Sequence, residues 1–273
     1  MIKLVAIDID GTLMDDNLEI SVLNEKAIKL AIDKGIKIVF CSGRAVSNLL
    51  TLIHEFKLKE DDEFVVGYNG AMGANVLTEQ VVFEDGLNGE EVKKIARIAK
   101  DLDIDYSIHL DDQIITRRQN YYSDYEATIN EVPMKIQPIE DLADNENVLK
   151  IIILGEQDKL EKTIEKLPKF IFDQYNATRS TINFLEIIKK DVNKYNGTMK
   201  IADILGIKSD EILALGDQLN DYELVKNVGI GVAMKNANPL LIEKADFVTK
   251  SNNDSGVAYA LNKFLHLNMD EFK

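Results

Sequence analysis

The chain has 273 residues, 45% of them apolar, enough to bury a full core in one large domain or two modest ones. Its 47 acidic against 32 basic residues leave a formal charge of -15, which disfavours long-range attraction to nucleic acid or to an anionic membrane. An anionic substrate therefore requires local neutralisation, by a bound cation or a well-placed lysine.

Residues 1–7 are too short an apolar stretch for a signal peptide, and no apolar run approaches about 18 residues, so the cytoplasm is the expected location. A single cysteine, Cys41, excludes an internal disulfide and reads as a buried strand residue. The histidines His54, His109 and His266 are too scattered for a zinc cluster, so any metal is expected to be a hard cation held by oxygen.

In chain order, residues 4–7 read as a buried strand and 21–34 as a helix, capped by Ser21 and stopped by Gly35. Strands at 36–40 and 64–66 flank an apolar-periodic stretch over 46–56, giving the βαβαβ order of a parallel sheet with covering helices. From residue 81 the pattern changes. It runs through a helix at 90–102, strands at 106–110 and 113–117, and a helix at 123–131. A strand at 148–154, a helix at 159–167 and two β runs at 169–174 and 181–188 follow. The βα pattern returns with a helix at 198–205 and strands at 212–215, 228–232 and 246–249. The expected architecture is one α/β domain over 1–80 and 190–273, interrupted by an α+β module over 81–189.

Chemistry is expected where strands end. In open parallel sheets, ligands bind in the crevice outside the carboxyl ends of the strands. Asp8-Ile9-Asp10-Gly11-Thr12 places two carboxylates directly after the first strand, with a glycine to turn the chain. An EF-hand loop starting at Asp8 is excluded because its turn glycine would be Leu13 and a strand precedes it. A glycosyltransferase DxD stays open on this segment alone. Gly216-Asp217-Gln218-Leu219-Asn220-Asp221 repeats the arrangement after the strand at 212–215 and opens a helical pattern. Ser42-Gly43-Arg44 follows the second strand, where a hydroxyl and a freed backbone amide suit a phosphate oxygen. Lys194, just before the helix expected from residue 198, is placed to neutralise phosphate.

Together these four segments resemble the four motifs of the haloacid dehalogenase superfamily. The DxDGT pattern with GDxxND, and a large insertion between the second and third motifs, resembles the Cof-type subfamily with a C2-type cap. The resemblance implies a parallel Rossmann-like core sheet with an inserted α+β cap. It also implies that Asp8 attacks phosphorus and that Asp10 acts as general acid and then base. Magnesium would be held by the Asp8 carboxylate, the Asp10 backbone carbonyl and Asp217, with Asp221 supporting; Ser42, Gly43, Lys194 and Asn220 would hold the phosphoryl group. The third motif reads Lys194-Tyr195-Asn196-Gly197 where Lys-Gly is commoner, so Lys189 and Lys190 stand as alternatives.

The implied activity is magnesium-dependent hydrolysis of small phosphomonoesters, sugar phosphates above all, through an aspartyl-phosphate. A phosphomutase or phosphotransferase on the same scaffold, or a non-catalytic phosphometabolite-binding protein, are the alternatives. Substrate identity would reside in the cap, where Arg117, Arg118, Tyr121, Tyr122 and Arg179 are candidate contacts. The expected partner is a small phosphate ester, with no nucleic acid or membrane, for a monomer or weak homodimer.

Overall fold

The computed structural model describes residues 1–55, 63–130 and 132–272. It divides into two compact units, one of Met1–Phe83 with Asn193–Lys273 and one of Glu84–Val192. The last residues of two expected helices, Phe56 and Glu131, lie outside the described residues.

The first unit begins with β1 (Leu4–Asp8), α1 (Val22–Asp33), β2 (Lys37–Cys41), α2 (Val46–Glu55), β3 (Phe64–Gly67), β4 (Met72–Asn75) and β5 (Val81–Glu84), whose last residue opens the second unit. The second runs through β6 (Leu87–Asn88), α3 (Gly89–Asp101), β7 (Asp105–His109), β8 (Ile114–Thr116), α4 (Tyr121–Asn130) and β9 (Met134–Ile136). It continues with β10 (Asn147–Val148), β11 (Lys150–Leu154), α5 (Gln157–Ile164), α6 (Phe170–Gln174), β12 (Tyr175–Thr181) and β13 (Phe184–Lys189). The chain then returns to the first unit with α7 (Lys194–Leu205), β14 (Ile212–Gly216), α8 (Tyr222–Asn227) and β15 (Ile230–Ala233). It ends with α9 (Pro239–Ile242), β16 (Phe247–Val248) and α10 (Gly256–Leu265).

The first unit is an α/β sheet in the order β16-β15-β14-β1-β2-β3-β4-β5. Pairing is parallel from β16 to β3, and β3 turns back antiparallel into β4. β1 and β14 are buried along their whole length, as continuous apolar runs covered on both faces should be. Their register pairs Ile7 with Leu215, so both chains leave the sheet at the same level and deliver Asp8 and Asp217 to one end.

Local signals start the helices where the capping chemistry allows. Ser21 accepts from the Asn24 amide to open α1, and Gly35, at φ +76°, takes the left-handed turn after it. α7 starts four residues before the expected 198, because Asn193 caps it by accepting from the Asn196 amide at 2.9 Å. Lys194 therefore belongs to the first helical turn and does not precede the helix.

The second unit is a six-stranded sheet, β12-β13-β11-β7-β8-β9, largely antiparallel. Residues 169–174, expected as β, form α6. Pro168 precedes this segment and supplies the carbonyl that accepts from Ile171 N–H, and Ile171 is buried in the unit's core, so packing overrides the β preference of its aromatics. α3 and α5 contribute Val92, Ile95 and Leu160 to that core, beside Ile151 and Ile153 of β11.

The alternate residues of β11 face the opposite way, and there a buried charged cluster forms. Lys150 Nζ lies 3.9 Å from Glu126 and 3.7 Å from Glu186, and His109 Nε2 lies 3.5 Å from Glu126. Burial pushes the Glu126 carboxyl up, against the opposing pull of Lys150. Burial, with Lys150 adding to it, holds His109 well below the usual imidazole range. Replacing Lys150 by Met strands these carboxylates, and we expect a loss of about 3 kcal/mol in urea unfolding. An unchanged urea midpoint contradicts this. No helix among the described residues is long and apolar enough to cross a membrane.

Candidate active site

The site is built on the ends of β1 and β14. Asp8 closes β1 and is buried. The chain then turns at Gly11, at φ +79°, where any Cβ would run into the Asp217 carboxylate. Only glycine lets the two acidic loops come this close. Thr12 Oγ1 donates to Asp217 Oδ1 at 3.4 Å, tying the loops together. In the second loop, Asp221 Oδ2 accepts the amides of Asp217 at 3.0 Å and Gln218 at 3.1 Å, so this carboxylate shapes the turn that presents Asp217.

Lys194 enters from the first turn of α7 and is 1% exposed. Its Nζ donates to Asp8 Oδ1 at 2.5 Å and to Asp221 Oδ1 at 2.6 Å. Burial alone would depress this ammonium, but the charges of Asp221 and Asp8 outweigh it and leave its pKa raised. Asp8 is pushed well above the usual carboxylate range, by burial first and by Asp221 next, despite Lys194. Asp217 is raised as well, again by burial and then Asp221. Three buried carboxylates share one lysine, so the cluster lacks positive charge.

Whether these residues suit a metal follows from that imbalance. Asp8, Asp217 and Asp221 each offer a carboxylate oxygen, all within 4.8 Å of one another. Such an all-oxygen, net-negative set fits a hard divalent cation. Asp221 is the most firmly tied of the three, with Oδ1 on Lys194 and Oδ2 on two backbone amides, whereas Asp217 accepts from the side chains of Thr12 and Gln218 and Asp8 Oδ1 accepts from Lys194.

The Asp10 carboxylate stands outside this trio and is clasped by Arg44. Arg44 Nε donates to Asp10 Oδ2 at 2.9 Å and Nη2 to Oδ1 at 2.5 Å, a two-pronged pairing that fixes both position and plane. Arg44 comes from the loop after β2, where its own amide donates to Ser42 Oγ at 3.1 Å. Ser42 is buried, and at Gly43 a side chain would press on Asn69, 3.3 Å from its carboxamide. Asn220 is exposed and its Nδ2 donates to Asn69 Oδ1 at 3.1 Å. Cys41 is buried at the end of β2 against Thr198 at 3.3 Å, with its thiol pushed by burial up to about 12, so it stays a neutral packing residue.

Sequence reasoning quoted Arg44 without a role and passed over Asn69. The two-residue signal Asn69-Gly70, a turn former directly after a strand, marks the second of them. The alternative lysines pair elsewhere: Lys189 with Asp85, and Lys190 with the Phe172 carbonyl at 3.2 Å. In the second unit, Arg118 is held by Asp105 at 2.6 Å, and Arg179 by Glu161 at 3.3 Å and the Ile182 carbonyl at 2.5 Å. Tyr122 packs edge-on to Phe184, while Tyr121 is exposed. Arg117 Nη1 is buried with no hydrogen-bond partner among the described residues.

Acids from neighbouring strand ends, with a lysine between them, are the groups an enzyme needs to hold a cation against a phosphoryl group, and the interrupted α/β fold is one used by hydrolases. Residues 5–261 match the haloacid dehalogenase-like hydrolases, and the chain belongs to that family. The Bacillus subtilis (strain 168) protein named "Putative phosphatase YxeH" is 31% identical over 267 residues, 97% of this chain and 99% of that one. The 5-amino-6-(5-phospho-D-ribitylamino)uracil phosphatase YcsE of the same strain is 30% identical over 260 residues, 95% of this chain and 94% of its own. The crystal structure of a haloacid dehalogenase-like hydrolase from Bacteroides thetaiotaomicron matches with a TM-score of 0.84 at 28% identity, covering 96% of this chain and 99% of that one. The chain is an enzyme of the phosphatase class.

Proposed function

We propose that the chain is a magnesium-dependent phosphatase that hydrolyses small phosphomonoesters, sugar phosphates foremost, through an aspartyl-phosphate on Asp8. The observation that carries this reading is the buried Asp8 carboxylate held by Lys194 at 2.5 Å beside Asp217 and Asp221. Asp8, Asp217 and the Asp10 main-chain carbonyl, with Asp221 behind them, would hold the cation, which when bound supplies the positive charge that lets a carboxylate approach a phosphate dianion.

In the first step a carboxylate oxygen of Asp8 attacks phosphorus and the bond to the leaving alkoxide breaks, while Asp10 passes it a proton. In the second, Asp10 takes a proton from water, whose oxygen attacks the phosphoaspartate, freeing inorganic phosphate and restoring Asp8. Lys194, Ser42, the Gly43 amide and Asn220 hold the equatorial oxygens as charge gathers on them. Arg44 sets where the Asp10 carboxylate sits. To the inserted unit, 84–192, we assign the choice of leaving group. Arg118 and Arg179 are occupied by partners within that unit, which favours its other polar residues for this task. The YcsE relative, named for a phosphoribityl substrate, supports a phosphate carried on a polyol or sugar.

The test is phosphate release from 4-nitrophenyl phosphate, then from hexose, pentose and polyol phosphates and nucleotides. Turnover is expected to fall about 100-fold or more in chelator and to return with added magnesium. Full activity in chelator contradicts the metal role. Conversion of a hexose 1-phosphate to its isomer without free phosphate would mark a mutase, and binding without turnover a sensor.

A further inference from the structure

We infer that Asn69 is a positioning residue of the phosphoryl site, fixing the Asn220 carboxamide and the Ser42-Gly43 loop relative to Lys194. This rests on the reading of Asn220 as a phosphoryl-holding side chain.

The turn between β3 and β4 follows an unusual path. Tyr68, Asn69 and Gly70 have φ of +50°, +54° and +106° in succession. Asn tolerates the left-handed region and Gly is at ease there, but a bulky tyrosine is a genuine outlier. Such strain persists only where the surroundings impose it, and it gathers at functional sites. Here the surroundings are three of the four segments that carry the chemistry.

On one side the turn is tied to the loop after β2. Tyr68 N–H donates to the Arg44 carbonyl at 2.9 Å and Asn69 N–H to the Ser42 carbonyl at 3.0 Å. On another it lies against the start of α7. A Cβ on Gly70 would overlap the Asn193 main chain, and one on Gly197 would lie 2.8 Å from Gly70 Cα. Only two glycines allow this approach, and Asn193 and Gly197 bracket Lys194 on its first helical turn. The third tie is the Asn69 side chain, whose Oδ1 accepts from Asn220 Nδ2 at 3.1 Å.

That last bond is the restraint on Asn220. The residue is exposed, on the short turn Leu219–Asp221, and its carboxamide makes no other hydrogen bond among the described residues. Without Asn69 it is free to rotate. The plain alternative is that Asn69 is present only because a left-handed turn favours asparagine. The two readings part at glycine, which keeps the backbone comfortable and removes the carboxamide.

The experiment compares Asn69→Gly, Asn220→Ala and the double variant, reading kcat and KM for 4-nitrophenyl phosphate with magnesium, inhibition by inorganic phosphate, and the urea midpoint. We expect Asn69→Gly to keep the wild-type midpoint, to lose about 10- to 100-fold in kcat/KM and to bind phosphate more weakly. The double variant should be no worse than Asn220→Ala, because both remove one arrangement. Wild-type kinetics in Asn69→Gly, or losses that multiply in the double variant, overturn the assignment. Loss of folded protein in Asn69→Gly would assign the residue to the fold instead. Wild-type activity in Asn220→Ala would remove the role of Asn220 itself and this inference with it, a result distinct from failure at Asn69 alone.

Discussion

Asp8→Asn is expected to cut turnover of 4-nitrophenyl phosphate by about 10,000-fold or more while leaving the protein at least as stable as the wild type. The two halves of this result have separate causes at one side chain. Asp8 is the buried acid at the end of β1, next to Asp217 and Asp221, and burial together with Asp221 already disfavours its charge. An amide of the same shape relieves that repulsion and still accepts from Lys194. It cannot, however, form the acyl-phosphate, because an amide oxygen is a poor nucleophile. Urea unfolding and steady-state turnover on the same preparation check both halves. A folded Asp8→Asn variant with wild-type turnover removes Asp8 as the nucleophile.

Lys194→Met is expected to lose both rate and stability. Rate falls about 100- to 1,000-fold because a preorganised positive charge next to the transferring group is gone. Stability falls by about 3 to 5 kcal/mol in metal-free buffer, since the pairs at 2.5 and 2.6 Å leave Asp8 and Asp221 buried without a counter-charge. Magnesium should then recover part of the stability, because a cation that binds the folded acids and not the unfolded chain shifts unfolding. It should not recover the rate, since a cation held by the acids would not reproduce the lysine's place. Arginine is no substitute in a site 1% exposed, where a planar guanidinium has no room. Urea titrations with and without magnesium, beside turnover, decide it. A variant with wild-type stability in chelator contradicts the view that this lysine balances the acids.

What could be read before folding was whatever lies close along the chain. The apolar run of β1, the Ser21 cap, Gly35 and the acids directly after β1 and β14 are local signals, each with its own short-range cause. The α/β alternation and the four segments carried enough pattern to suggest the family. The pairings that set the site join residues distant in sequence, and no local signal shows which residue meets which. Arg44 meets Asp10 across 34 positions, and Asn69 meets Asn220 across 151. Lys194 was placed ahead of its helix because the Asn193 cap is a weak signal beside the apolar periodicity that begins later. Residues 169–174 failed for the opposite reason, since their aromatics favour a strand while Pro168 and the burial of Ile171 fold them into α6.

On the proposed mechanism Asp8 carries the phosphoryl group between two steps. Asp10→Asn with 4-nitrophenyl phosphate and magnesium tests it most directly, because nitrophenolate leaves without a proton whereas water needs Asp10 as its base. Acid-quenched protein, digested and analysed by mass spectrometry, should show one burst equivalent of nitrophenol and a phosphoryl group on the peptide containing Asp8. Steady release of phosphate with Asp8 unmodified, or a phosphoryl group on a different side chain, would contradict the account.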